Sequence, residues 1–181
     1  KAQLATYLRV GVTEAAILDL QTNMTFCYEK LGRNEDGIQL SREVYARSMA
    51  IRLPEGQTYL YALNLSVSLI NASHHSEAKS FLRELLPKAR RVLGAENMRY
   101  IKLRFNYASC LYQAISPHHV DGAARDDLVE SVTIFEDLLP TARRVLGPAH
   151  PFTDSTQKNL NTARAKLQYW GLASQLGAFK L

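Results

Sequence analysis

The chain has 181 residues, is 46% hydrophobic and carries 22 basic against 17 acidic residues, a formal net charge of +5. This length buries enough apolar surface for one domain, and we expect residues 1–181 to form one. The basic residues are interleaved with acidic ones, which disfavours nucleic-acid or membrane-surface binding, and no apolar run approaches the roughly 20 residues of a membrane-spanning helix.

Apolar residues recur at three- and four-residue steps in seven segments, which predicts an all-α protein. To within about 2–4 residues, the helices cover 13–31, 34–52, 57–72, 75–93, 98–115, 124–146 and 152–169. Residues 116–126, rich in Pro, His, Gly and Asp, are predicted to form a loop that tolerates an insertion.

An asparagine marks the same position in four of these segments, namely Asn23, Asn64, Asn106 and Asn159. The first three are 41 and 42 residues apart, a period typical of helical pairs that stack into a solenoid. We divide the chain into the end of a preceding repeat (1–11), three repeats (12–53, 54–94 and 95–147) and a last half-repeat with a C-terminal cap (148–181). The start inside a repeat predicts a fragment or ordered part of a longer chain.

The second helix of each pair has a small residue at an equivalent position, Gly37, Ala78 or Ser131, which allows the first helix to approach closely. Arg90-Arg91 and Arg143-Arg144 lie in the last turn before a glycine, where cations and a left-handed cap end a helix. Two apolar stripes are predicted to be buried: Ala78, Phe81, Leu82, Leu85, Ala89 and Val92, and Ser131, Ile134, Phe135, Leu138, Ala142 and Val145.

The run Leu146-Gly147-Pro148-Ala149-His150-Pro151, followed by Asn159-Leu160, resembles the roughly 42-residue tetratricopeptide repeats (TPR) of the kinesin light chain type. Arg83 to Leu86 fits the same pattern, and about three and a half copies cover nearly the whole chain. The resemblance implies a right-handed TPR-like superhelix, a solenoid of antiparallel helix pairs. It also implies a concave groove, lined by the first helices, that holds a peptide.

Candidate groove residues come from those first helices. Residues 59–72 are apolar nearly all round; one face (Tyr61, Leu65, Leu69, Ala72) suits stacking, and the opposite face (Leu60, Leu63, Val67, Ile70) is either buried by neighbours or open to a partner's anchor residues. The repeat asparagines could pair with a peptide backbone or be structural, and nearby lysines could meet an acidic ligand. The predicted partner-binding groove comprises Leu60, Leu63, Asn64, Val67, Lys102, Asn106, Lys158 and Asn159.

Catalytic motifs are absent from the sequence: it has no phosphate loop, nucleophile elbow or paired His-Glu metal motif. We predict no catalytic, cofactor-binding or metal-binding residues and no enzyme activity. A zinc or nickel site at His74-His75 and His118-His119 with Asp121 is conceivable, but solvated loops are the favoured interpretation. Cys27 and Cys110 are predicted to be separate buried thiols in a reducing intracellular compartment, with the cytoplasm favoured.

The sequence therefore predicts a non-catalytic scaffold that binds a protein or peptide partner. The alternatives are a structural subunit of a larger complex and a helical accessory domain of a multidomain enzyme. RNA binding by basic helix ends is a weaker alternative. The apolar residues of Gln168–Leu181 are predicted to cap the last helix or to dock on a partner.

Overall fold

The computed structural model describes residues 13–51, 53–54, 56–115 and 122–175, with side chains described as far as 172. These residues form seven α-helices and no strand, which confirms the all-α prediction. The helices are α1 (Glu14–Lys30), α2 (Asn34–Ala50), α3 (Thr58–Asn71), α4 (His75–Leu93), α5 (Met98–Gln113), α6 (Gly122–Leu146) and α7 (Pro151–Gln175). Contacts divide the chain into two compact units, Lys1–Ala72 with α1 to α3 and Ser73–Leu181 with α4 to α7.

Local side chains explain where the helices begin and end. The Thr13 hydroxyl accepts a hydrogen bond from the Ala16 amide at 3.2 Å and so caps α1. Asn97 caps α5 in the same way through the Arg99 amide at 2.9 Å. At the other end of α4 and α6, Gly94 and Gly147 have φ angles of 82° and 91°, which only glycine adopts without strain.

The residues of the repeat motif have identifiable structural roles in the junction between α6 and α7. Pro151 is the first helical residue, where its missing N–H costs nothing and its φ suits a helix. The His150 Nδ1 accepts from the Phe152 amide at 3.1 Å. The Thr153 hydroxyl donates to the Gly147 carbonyl at 2.9 Å. The histidine and the glycine therefore together fix the turn from α6 into α7.

The first unit packs around Leu18, Val44 and Tyr61, one buried side chain from each of its three helices. Gly37 of α2 is buried against α1, where an added Cβ would lie 3.4 Å from the Thr25 carbonyl oxygen. The predicted close approach at this position is therefore present.

The second unit has a larger core between α5, α6 and α7. Phe105 contacts the rings of Phe135 and Phe152, with centroids 5.6 and 5.0 Å apart. The fully buried Ser131 donates a hydrogen bond to the Ala108 carbonyl of α5 at 2.8 Å. Ser131 is therefore small enough to let α5 pack closely against α6, and it also forms a hydrogen bond to α5.

Some sequence predictions were wrong. Val92 and Val145, each in the last turn of its helix, are 39% and 41% exposed rather than buried. Helix α6 begins at Gly122, within the uncertainty of its predicted start at 124, so residues 122–126 of the predicted loop are helical and Ala124 packs against the core. The last helix continues through Gly171 to Gln175, since a single glycine costs a helix only about 1 kcal/mol.

Cys27 is exposed, although it was predicted to be buried. Among the described helices, none of the second-helix type packs on the face of α1 that contains it, whereas such helices bury the equivalent positions in later copies. The predictions for residues 1–12, 116–121 and 176–181, including His118, His119, Asp121 and most of the proposed cap, lie outside the described residues.

Candidate functional site

The candidate groove of the first unit is one side of α3, formed by Leu60, Leu63, Asn64 and Val67 and called the α3 face below. All four side chains are half-buried. The opposite side of the helix is fully packed, with Tyr61 and Leu69 each 1% exposed. The helix therefore buries one apolar side and leaves a second one partly open to solvent.

Hydrogen bonds fix α3 in register with its neighbours in the first unit. The Tyr61 hydroxyl donates to the Asp19 carboxylate of α1 at 2.9 Å, and burial with this bond raises the pKa of Tyr61 to about 12. Near the C-terminal end of α3, the Glu29 carboxylate accepts from Ser68 at 2.7 Å and from Asn71 at 3.2 Å. These contacts hold the α3 face on a rigid helix.

The candidate groove residues of the second unit are Lys102 and Asn106 on α5 and Lys158 and Asn159 on α7. Both lysines are exposed, and the Lys158 ammonium lies 2.7 Å from the Asp154 carboxylate. Asn106 is only 9% exposed. The Asn159 amide donates to the Ser109 hydroxyl at 3.2 Å and so joins α7 to α5. Of the four, the lysines are the more accessible to a ligand.

A polar cleft on another side of the second unit was not predicted from the sequence. It has a volume of about 450 Å³ and lies between α4 and α6, with α5 at its floor. The Tyr107 hydroxyl accepts from the Arg83 guanidinium at 3.1 Å and donates to Glu130 at 3.0 Å. Burial raises the pKa of Tyr107, so it remains a neutral donor. Arg83 and Glu130 occupy different repeat positions, so no period in the sequence connects them.

A second cavity of about 360 Å³ shares Arg90 and Tyr100 with that cleft. Its walls are held by two ion pairs, Arg104 with Asp137 at 2.6 Å and Arg144 with Glu96 at 2.5 Å. The Arg144 contact shows that a helix-ending arginine also bridges to the turn before α5. Because these pairs are exposed on at least one side, we assign them modest stabilisation.

The histidine pair lies at the start of α4 and lines a cavity of about 370 Å³. His74 precedes the helix, and its Nδ1 is 3.6 Å from the Glu77 carboxylate. Burial, and then the charges of Lys166 and His74, lower the pKa of His75. Among the described residues, no group of three His, Cys, Asp or Glu side chains is arranged to hold a metal ion.

The buried thiol of the pair is Cys110, as predicted. Burial raises its pKa to about 12, and its Sγ lies 3.0 Å from the Tyr107 carbonyl. A thiol with this pKa stays protonated at neutral pH and is unreactive. Cys27, in contrast, is solvent-accessible.

Comparison with known proteins agrees with this architecture. The tetratricopeptide repeat family profile matches residues 60–97. A crystal structure of nearly identical TPR-like repeats, described for a kinesin light chain of Podosopora anserina, has a similar fold. The TM-score is 0.50 and the sequence identity 15%, over 92% of this chain and 95% of that chain. No curated protein sequence matches the chain.

The described helices therefore form an all-α helical-repeat fold of the TPR type, and residues 60–97 match the tetratricopeptide repeat family. Such repeats generally mediate protein–protein interactions and typically serve as non-catalytic scaffolds. None of the helices in the described part of the chain is long and apolar enough to cross a membrane.

Proposed function

We propose that this chain is a non-catalytic scaffold that binds a peptide or protein partner through its first helices. The observation that carries the proposal is the α3 face: Leu60, Leu63 and Val67 stay partly exposed on a helix that lies within the matched repeat. Partly open aliphatic side chains on a rigid helix are suited to hold the anchor residues of a bound segment.

The second unit contributes exposed lysines as candidate binding residues. Lys102 and Lys158 are exposed on two first helices, and Asn159 bonds those helices together. Cations on a fixed framework favour an acidic ligand, because the framework loses little freedom when the ligand binds. We therefore infer that a ligand of the second unit supplies carboxylates, whereas a ligand of the α3 face in the first unit supplies apolar anchors.

A displayed library of random peptides, selected on the full chain, tests the proposal. We expect peptides that bind the second unit to be enriched in acidic residues and peptides that bind the α3 face to contain aliphatic or aromatic anchors. The double substitution Lys102→Glu and Lys158→Glu should weaken the best peptide by about tenfold or more, since about 1.4 kcal/mol suffices for that factor. The double substitution Lys88→Glu and Arg91→Glu, on exposed positions of α4, is the charge-matched control and should leave affinity unchanged.

A second pair of variants tests the role of the apolar α3 face. Val67→Asp on the α3 face should weaken binding, whereas Val129→Asp on the exposed side of α6 should not. Circular dichroism and melting temperature show whether each variant is folded. If all variants bind with equal affinity, or if binding is lost only in variants that are less stable, the proposal that the first helices form the binding surface is wrong.

A further inference from the structure

The two cavities between α4 and α6 share Arg90 and Tyr100, so they form one open groove with α5 at its floor. It is called the arginine groove below, after the four arginines that line it: Arg83, Arg90, Arg104 and Arg144. Tyr100 and Tyr107 of α5 both line the groove. The helix rises about 10 Å between them, the length of about three extended residues. A short extended peptide segment therefore fits along this floor.

The charges that line the groove are unevenly matched. Three of the arginines are paired with a carboxylate: Arg83 with Glu130 at 3.8 Å, Arg104 with Asp137 at 2.6 Å and Arg144 with Glu96 at 2.5 Å. The exposed guanidinium of Arg90 has no ionic or hydrogen-bonded partner among the described residues. The groove therefore holds one cation for which its own walls supply no anion.

The interface between α6 and α7 shows how the same arginine is satisfied in the next copy. Arg143 has in α6 the position that Arg90 has in α4, four residues before the capping glycine. Its guanidinium donates to the side-chain oxygen of Gln157 on α7 at 3.0 Å. The position of Gln157, two residues before the repeat asparagine, is occupied on α5 by Arg104. Where Arg143 meets an acceptor, Arg90 therefore meets a second cation.

Tyr100 supplies another donor at the same place. Its side chain is 8% exposed, and its hydroxyl makes no hydrogen bond to another described residue. The equivalent residue of α7, Thr153, uses its hydroxyl to donate to a backbone carbonyl of its own turn. Leu86 and Pro87 of α4 add apolar surface beside these donors. The groove thus combines a guanidinium and a hydroxyl that need an acceptor with apolar surface for a side-chain stem.

We propose that the arginine groove binds an extended acidic peptide segment, with one Asp or Glu carboxylate paired to Arg90 and accepting from the Tyr100 hydroxyl. A single carboxylate matches the one unpaired cation, whereas a phosphate dianion would bring excess charge next to the carboxylates already in the groove. Lys102 lies about 200° around α5 from Tyr100, on the other side of the helix. The groove is therefore a different surface from the lysines and the α3 face, and the proposal depends on neither.

A displayed library of seven-residue peptides tests the proposal. It is selected on the full chain that carries Lys102→Glu and Lys158→Glu, so that the lysines cannot capture acidic peptides. We expect the selected peptides to share one acidic position. The best peptide is then synthesised with Glu, Gln or phosphoserine at that position, and fluorescence anisotropy measures its affinity for this chain with and without Arg90→Gln. Arg143→Gln, on the equivalent exposed residue of α6, is the matched control.

We expect the Gln peptide and the Arg90→Gln chain each to weaken binding by about tenfold, and the two changes together to weaken it no further, because both remove the same contact. Tyr100→Phe should weaken binding by about threefold, and Arg143→Gln should leave it unchanged. Melting temperatures show that the variants are folded.

Three results overturn the proposal: a library that yields no binder, peptides that bind equally well after Arg90→Gln, or effects of the peptide and protein changes that multiply. A phosphoserine peptide that binds through Arg90 more tightly than the Glu peptide overturns the choice of a carboxylate as the ligand.

Discussion

Ser131 gives the sharpest test of how the helices of the second unit meet. Its side chain is fully buried where α6 crosses α5, and its hydroxyl donates to the Ala108 carbonyl at 2.8 Å. Ser131→Ala removes the hydrogen bond but keeps the volume small. Ser131→Leu removes the bond and also forces the two helices apart.

The two substitutions should differ in size. In the Ser131→Ala variant the Ala108 carbonyl still accepts the backbone hydrogen bond within its own helix, so no buried acceptor is left without a partner. We therefore expect the free energy of unfolding to fall by only about 0.5–1.5 kcal/mol. Ser131→Leu adds two heavy atoms to a packed crossing. Overpacking adds about 1–3 kcal/mol to the loss, so we expect a total of roughly 2–4 kcal/mol.

Urea denaturation followed by circular dichroism measures both values, with Ser155→Ala, on an exposed position of α7, as the control expected to change little. The slope of free energy against urea should stay constant if only the native state is affected. A Ser131→Leu variant as stable as Ser131→Ala would refute the reasoning, because it would mean that the crossing has room for a large side chain.

Two further outcomes follow from the packing and the charges. Gly37→Ala should raise the free energy of unfolding by up to about 1 kcal/mol, because alanine favours a helix and its Cβ would make an ordinary contact with the Thr25 carbonyl oxygen at 3.4 Å. A clearly lower melting temperature would mean that α2 lies too close to α1 for this Cβ. His75 has a folded-state pKa below its ordinary value of 6.5, so the unfolded chain binds the proton more readily and stability is lost as pH falls through 6.5. The free energy of unfolding of the His75→Gln variant should therefore fall less than that of the parent chain between about pH 8 and about pH 5. Identical dependence on pH in the two proteins would contradict the lowered pKa of His75.

Much of the fold follows from local signals. The helix bounds were predictable because periodicity, caps and glycines act within a few residues of each other, as Gly94 and Gly147 show. The small residues at helix crossings were also predictable, since Gly37, Ala78 and Ser131 occupy equivalent repeat positions and all three are buried. The candidate lysines and asparagines are where the repeat places them, but their role in binding stays a prediction.

The sequence could not show what depends on the presence or absence of a neighbouring helix. Cys27 has the same repeat position as Cys110, and its local pattern is just as apolar. Cys110 is buried where α5 packs on α4, whereas no helix of the described residues precedes α1 to cover the exposed Cys27. The cleft around Tyr107 was missed for a related reason: it joins side chains from three helices, and no single period connects Arg83, Tyr107 and Glu130.

Side-chain bonds between α5 and α7 bear on how the second unit unfolds. The Lys166 ammonium donates to the Tyr112 and Ile115 carbonyls at 2.9 and 3.1 Å, and so supplies donors to the open end of α5. Repeat proteins usually lose their modules one at a time, because each contacts only its immediate neighbour. Here α7 also stabilises a helix two elements away, so fraying of α7 exposes carbonyls of α5. This coupling favours cooperative melting of α5 to α7 over stepwise unravelling from one end.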